Sequence, residues 1–233
     1  MAVVRPPDAV HDTNQPYYSP NNAPEWERLD DLHRGIDAYL GHKLSLGPSV
    51  HNVKKILEIG CGSGAWAIQA SQTYPEATVV AIDISPLPPR PLPSNVQFLQ
   101  LDVTDRLPFE PEDFDIIHAR FVFVHLPNWK QLLENVVSLL KPRGWLWIED
   151  TDIHFYDDGP QGLGPSLKAF NDRYISFMRS KNVDPLADHV ESLLISKQEK
   201  STALELDVQQ MAEITILVTS GWAKWPGQLC AAL

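Results

Sequence analysis

The sequence predicts an α/β protein built on a doubly wound, mostly parallel sheet. Three observations carry that expectation. First, short apolar runs such as Lys55 to Ile59 and Thr78 to Ile82 read as strands buried on both faces. Second, helical or crossover segments alternate with these runs, the pattern of a parallel sheet. Third, the runs end on Gly60, Asp83 and Asp102. Open α/β sheets bind ligands at that carboxyl edge, near the point where strand order reverses.

The elements follow in order. Residues 1–23 hold Pro6, Pro7, Pro16 and Pro20 among Asn and Asp, and read as an extended arm without its own core. From Pro24, Trp26, Leu29, Ile36 and Leu40 recur at near-helical spacing, and Glu25 and Glu27 occupy the anion-favouring first turn. Gly47-Pro48 is the expected stop. After the first strand comes the turn Gly60-Cys61-Gly62-Ser63-Gly64, then a helix from Ala65 to Thr73 ending before Pro75. The second strand closes at Asp83. The prolines at 86, 88, 89, 91 and 93 exclude a helix there. Val96 to Leu101 is the third strand and Phe114 to Ala119 the fourth. Asn128 is the expected cap of a helix through Leu140 that Pro142 and Gly144 terminate, and Trp145 to Glu149 is the fifth strand. Beyond it, helices are expected at Leu167 to Met178, around His189 to Ile195, and at Asp207 to Thr219. Only Trp222 to Leu229 remains for a sixth strand, a seventh is not expected, and the C-terminal hairpin reads as incomplete.

Composition narrows the function. The chain has 233 residues, 43% of them hydrophobic, which suits one packed core. Nineteen Lys and Arg face 30 Asp and Glu, a net charge of −11 that disfavours nucleic acid and anionic membrane surfaces as partners. Cys61 and Cys230 are far apart and give no disulfide framework, and no apolar run reaches the roughly eighteen residues of a membrane span. The N-terminus lacks a hydrophobic signal core. A cytoplasmic location is expected, with the nucleus as the other compartment. The eight histidines form no metal spacing and no metal is expected.

The chemistry converges on the strand ends. Glycines at 60, 62 and 64 permit a tight turn and close backbone approach to a ligand, and Gly60 to Ala65 satisfies the dinucleotide pattern G-x-G-x-x-A. Alone, that is also what a structural turn looks like. Asp83, nineteen residues beyond Gly64, can accept both hydroxyls of a ribose, or simply start a turn before Ser85-Pro86. Asp102 offers a carboxylate to an adenine amino group and Val103 an apolar wall to the ring; the alternative is a turn through Thr104. Glu58 separates two nucleotide readings. Negative charge two residues before the first glycine repels a pyrophosphate and attracts a cationic amino group.

The run ILEIGCGSGAWAIQASQTYPEATVVAIDIS resembles the first motif and following acidic motif of class I S-adenosylmethionine-dependent methyltransferases, which have a Rossmann-like fold. NVQFLQLDVTDRLPF and FDIIHARFVFVHLPNWKQLLENVVSLLKPRGWLWIED resemble the rest of that core, in order. PEWERLDDLH, WAIQ and ISPLPPRPLPSNVQF are similar to the fungal secondary-metabolism regulator type. The resemblance implies S-adenosylmethionine as cofactor, with Glu58, Gly60, Gly62 and Gly64 at its methionine part, Asp83 and Ile84 at ribose and adenine, Asp102 and Val103 at adenine, and the backbone near Ala119 lining the site. It divides the chain into the arm, a helical cap at 24–50, a cofactor-binding core at 51–150, and a mainly helical part at 151–233 that completes the core and the substrate pocket.

A sulfonium methyl is already electrophilic, so a base is needed only where the acceptor must lose a proton. His118 and His125 are the candidates, and His125, in the loop after the fourth strand, is the better placed; a packing histidine is the plain alternative. Tyr17 and Tyr18 could close over the cofactor as a lid. Trp145 and Trp147 read as strand core, and the acidic residues at 150, 152, 157 and 158 as a solvated loop. Three functions compete. The first is methyl transfer to a small molecule, of the kind made in secondary metabolism. The second is a regulatory or scaffolding protein that binds the cofactor with little turnover. The third is a nicotinamide-dependent oxidoreductase; Tyr39 and Lys43 have the spacing of a short-chain dehydrogenase pair but precede the glycine turn, where that chemistry needs them after it.

Overall fold

The computed structural model describes residues 22–45, 49–151, 164–181, 213–219 and 228–232. Most of the expected arm, with Tyr17 and Tyr18, lies outside these residues, as do the expected helix around His189 and the segment from Trp222 to 227. The chain forms two compact units, Met1–Pro108 and Phe109–Leu233.

The first unit opens with α1 (Ala23–Tyr39). Asn22 is extended and its side chain accepts the Glu25 N–H at 3.1 Å, satisfying one of the helix's orphan donors. The helix stops before the expected Gly47-Pro48. Gly41 adopts φ 64°, and the N–H groups of Gly41 and His42 donate back to the carbonyls of Ala38 and Asp37. Those two bonds with a left-handed glycine close the helix as a Schellman motif. Strand β1 (Lys55–Ile59) leads through the glycine turn into α2 (Ala65–Thr73), then β2 (Thr78–Asp83) and β3 (Val96–Gln100). The strands are parallel, with Lys55 to Ile59 in register with Thr78 to Ile82, and Val79 to Asp83 with Val96 to Gln100. Ile56, Leu57, Ile59, Val79 and Ile82 are fully buried, which is why these strands read as unbroken apolar runs.

The second unit holds β4 (Phe114–Arg120), a short 3-10 turn at Phe123–His125, α3 (Trp129–Ser138), β5 (Leu140–Thr151), α4 (Pro165–Ser180), β6 (Glu213–Thr219) and β7 (Gln228–Ala232). Strands β4, β5 and β6 are parallel and β7 returns antiparallel to β6. The α/β, mostly parallel, Rossmann-like class predicted from the sequence is the class observed.

Three expectations in this unit are corrected. Asn128 precedes α3 but caps nothing with its side chain; it sits at φ 56° and its carbonyl accepts the Gln131 N–H. Next, β5 begins at Leu140 rather than Trp145. Pro142 is accommodated because the β4–β5 register shifts between Phe114 and Ile116, and a strand tolerates a missing donor at such an irregularity. Gly144 is needed there, since a Cβ would meet the Lys141 carbonyl oxygen at 2.9 Å. Finally, the expected helix at Asp207 to Thr219 is in part a strand, and the hairpin read as incomplete is present. The stretch Glu213–Thr219 carries Ile214, Thr215, Ile216, Val218 and Thr219. Branched side chains lose rotamer freedom in a helix and suit a pleated sheet. The partner strand, Gln228–Ala232, has little β propensity of its own and is held by backbone pairing from Glu213↔Ala232 to Leu217↔Gln228.

Candidate functional site

The predicted site residues of the first unit gather at one edge. Gly60, Gly62 and Gly64 all adopt left-handed backbone, at φ 66°, 55° and 78°, which explains why glycine stands at each. The turn folds back on β2, where Cys61 N–H donates to the Ile82 carbonyl at 3.0 Å and Gly62 N–H to Asp83 Oδ2 at 2.8 Å. The other oxygen, Asp83 Oδ1, accepts Ser85 N–H at 2.8 Å. Asp83 is therefore the turn-former it was weighed against, and it is also clamped to the glycine loop. A carboxylate is also the group that can accept the hydroxyls of a ribose.

Glu58 is 4% exposed, on the strand that leads into the turn. Desolvation first, and then the charges of Glu58 and Asp83, push the Cys61 thiol well above its ordinary pKa. Two carboxylates thus bear on a single turn. Such a site suits a cationic amino group with a ribose diol and does not suit a diphosphate.

The third strand end is closely tied in. Leu101 N–H donates to the Asp83 carbonyl at 2.9 Å, and Gln100 Nε2 to the Ile84 carbonyl at 2.9 Å. Ile84 and Val103 are half-buried. Asp102 Oδ1 accepts both the N–H and the hydroxyl of Thr104, at 2.8 and 2.7 Å, so the turn alternative for this residue is realised on one oxygen.

Sequence reasoning missed what covers the turn. Leu29 of α1 packs on Gly62 and Leu87 of the proline-rich loop on Gly64: a Cβ on either glycine would lie 3.2 Å from Leu29 Cδ1 or 3.1 Å from Leu87 Cδ2. Beside Leu29, Asp30 Oδ2 pairs with Arg90 Nη2 at 2.5 Å. Burial would raise the Asp30 pKa, but the Arg90 hydrogen bond, then Ser63 of the turn, then the Arg90 and Arg34 charges bring it below its ordinary value. The only advance signal was a lone arginine within a proline run.

In the second unit, Ala119 is buried in β4 and His125 closes the 3-10 turn. The His125 ring reaches solvent, yet enough protein surrounds it that desolvation lowers its pKa below the usual 6.5. The loop carrying it is held by the end of β5. Phe121 N–H donates to the Glu149 carbonyl at 2.8 Å and Val124 N–H to Asp150 Oδ2 at 3.0 Å. Asp150 is 2% exposed, so the expectation of a solvated acidic loop fails at this residue. Phe121 sits at φ 56°, a costly conformation for a bulky side chain and a mark of a constrained segment. His118, the other candidate, is fully buried on β4, 3.7 Å from the carboxylate of Glu149 on β5, and belongs to the core. Arg120 Nε bonds the same Glu149 oxygen at 2.5 Å. Burial opposes the Glu149 charge, but the nearby His118 ring, the Arg120 charge and the Arg120 hydrogen bond together pull its pKa down to about 2.

A parallel sheet with an acidic, glycine-turned strand edge defines a class, and the comparison with known families agrees: residues 32–190 match the family described as a methyltransferase domain, and the chain belongs to it. Among curated relatives, it is 46% identical over 191 residues to methyltransferase str3 of Strobilurus tenacellus, covering 80% of this chain and 66% of that one. It is 42% identical over 172 residues to methyltransferase str2 of the same fungus, covering 73% and 61%. It is also 28% identical over 148 residues to the secondary metabolism regulator laeA of Coprinopsis cinerea, covering 60% and 37%. The chain thus spans somewhat less than two thirds of the length of the first two.

Proposed function

We propose that this protein transfers a methyl group from S-adenosylmethionine to a small-molecule acceptor of secondary metabolism, working in the cytoplasm. The observation that carries the reading is the Asp83 carboxylate locked to the Gly62 N–H, with buried Glu58 bearing on the same turn. Glu58 and the amides of the glycine turn hold the methionine part, Glu58 by charge. Asp83 takes the ribose hydroxyls, with Ile84 against the adenine. Asp102, through the oxygen not used by Thr104, takes the adenine amino group, and Val103 flanks the ring. The backbone at Ala119 lines the site. The cofactor, when bound, supplies a methyl group made electrophilic by its sulfonium. His125 accepts the proton of an acceptor hydroxyl or amine, in the neutral form that its lowered pKa favours. The net charge of −11 supports a small molecule over a nucleic acid, and among the described residues no helix is long and apolar enough to cross a membrane.

Calorimetry with S-adenosylhomocysteine tests the first step, and transfer of radiolabelled methyl to metabolites of a fungal extract tests the second. Binding that is lost in Asp83→Ala supports the reading; a wild-type chain that binds nothing overturns it.

One finding favours a second reading, a cofactor-binding regulator with little turnover: the similarity to laeA. Binding without labelled product from any extract would select it. The nicotinamide reading loses its support to the carboxylates at the glycine turn, and an absence of NADH fluorescence enhancement is its expected outcome.

A further inference from the structure

Outside the groups assigned above, the glycine turn is enclosed by two segments with no role so far. Leu29, on α1, lies over Gly62, and Leu87, in the proline-rich loop, lies over Gly64. An ionic contact from Asp30 to Arg90, both about one-quarter exposed, joins these segments. The pairing is selective. Asp30 is flanked by Asp31, whose partner is Arg34 on its own helix, whereas Asp30 reaches sixty residues along the chain. Proline removes backbone donors, so the loop that holds Pro86, Pro88, Pro89, Pro91 and Pro93 has few ways to fix itself. Arg90 supplies a fixing point from a side chain. The far end of α1 is anchored separately, where Gln69 Nε2 donates to Asp37 Oδ1 at 2.6 Å, and the segment after the helix is held by the Trp66 indole N–H on the Leu44 carbonyl at 3.0 Å. Loss of the Asp30–Arg90 contact would therefore free the part of α1 over the turn without releasing the helix.

We propose that Asp30 and Arg90 are a positioning pair: their contact clasps α1 to the proline-rich loop and so presses Leu29 and Leu87 onto the glycine turn, holding it from outside in the shape that receives the cofactor. Asp83 holds the same turn from inside through Gly62. Asp83 belongs to the proposed ligand site, whereas the outer pair acts through Leu29 and Leu87. The inference rests on the methyltransferase reading for the identity of the ligand, but not for the order of the turn.

The experiment uses the full chain as wild type, Arg90→Ala, Arg90→Lys and the control Lys168→Ala, whose exposed pair with Asp172 lies in α4. Hydrogen–deuterium exchange is measured without ligand, and S-adenosylhomocysteine binding by calorimetry. In Arg90→Ala, amides 26–34 and 61–66 should exchange faster while those of α4 do not change. The dissociation constant should rise about fivefold, the scale set by a partly exposed ion pair that controls a binding-competent state. Arg90→Lys should restore much of both, and Lys168→Ala should match wild type. Unchanged exchange at 61–66 overturns the proposal. So does faster exchange with unaltered affinity, which would make the pair merely structural. If wild type binds no S-adenosylhomocysteine, the methyltransferase reading fails, and exchange alone then supports or overturns the clasp.

Discussion

The backbone N–H of Gly62 and the carboxylate of Asp83 meet at 2.8 Å, so the flexible turn and the residue at the end of the neighbouring strand form one rigid edge. Asp83→Ala should fail twice. It should lose cofactor affinity by more than about tenfold, and stability on the order of 2 kcal/mol, because the Gly62 and Ser85 donors lose a charged acceptor. Asp83→Asn keeps an oxygen for one of the two and should recover part of the stability but little of the affinity. Urea unfolding beside calorimetry separates the two losses.

Gly64 tests whether the turn needs its backbone or only its space. It stands at φ 78°, and an added Cβ would lie 3.1 Å from Leu87 Cδ2, the end of a side chain that can yield. Strain from the left-handed backbone remains, about 1–2 kcal/mol for a residue with a Cβ. Gly64→Ala should therefore lower stability by about that much, and the additional substitution Leu87→Ala should not recover it. Full recovery by Leu87→Ala, seen in chemical denaturation, would place the cost in the contact instead of the backbone.

How far the sequence revealed this site follows from what kind of signal each residue leaves. Leu57, Ile59, Val80 and Ile82 are buried on both faces, so the strands appear as unbroken apolar runs, and Gly60, Asp83 and Asp102 stand at their ends for local chain reasons. Leu29, Leu87 and the Asp30–Arg90 contact leave no such trace, since they depend on where a helix and a loop sixty residues apart are packed. The stretch from Glu213 misled in the other direction. Apolar runs of this length fit a buried helix or a strand, and the pairing with β5 that decides the matter is tertiary. His125 is preferred in sequence for its place in the loop after the fourth strand, and burial sets His118 in the core.

Acid should reveal the Glu149 cluster. Its folded pKa of about 2 lies below the ordinary 4.5, so its contribution is present above pH 4.5 and is lost as pH falls toward 2. The size is on the order of 3 kcal/mol. Glu149→Gln should be less stable than wild type at neutral pH, since Arg120 and His118 lose their anionic partner, but should lose less on acidification. Thermal unfolding at steps between pH 6 and 3 should show the two stabilities converging; parallel curves would mean the carboxylate titrates normally.

His125 gives the last expected outcome, in the pH dependence of turnover. Desolvation lowers its pKa below 6.5, so the base form predominates at neutral pH. With an acceptor that must lose a proton, kcat should be flat from pH 7 upward and should fall only on the acid side, at a pH below the ordinary histidine value. His125→Gln should reduce kcat by roughly a hundredfold or more while S-adenosylhomocysteine affinity stays within about twofold, because the residue handles the acceptor's proton and not the cofactor. An acid limb that survives in His125→Gln would assign the proton to another group. Unchanged kcat would mean that alignment with the methyl group suffices and that the acceptor arrives already deprotonated.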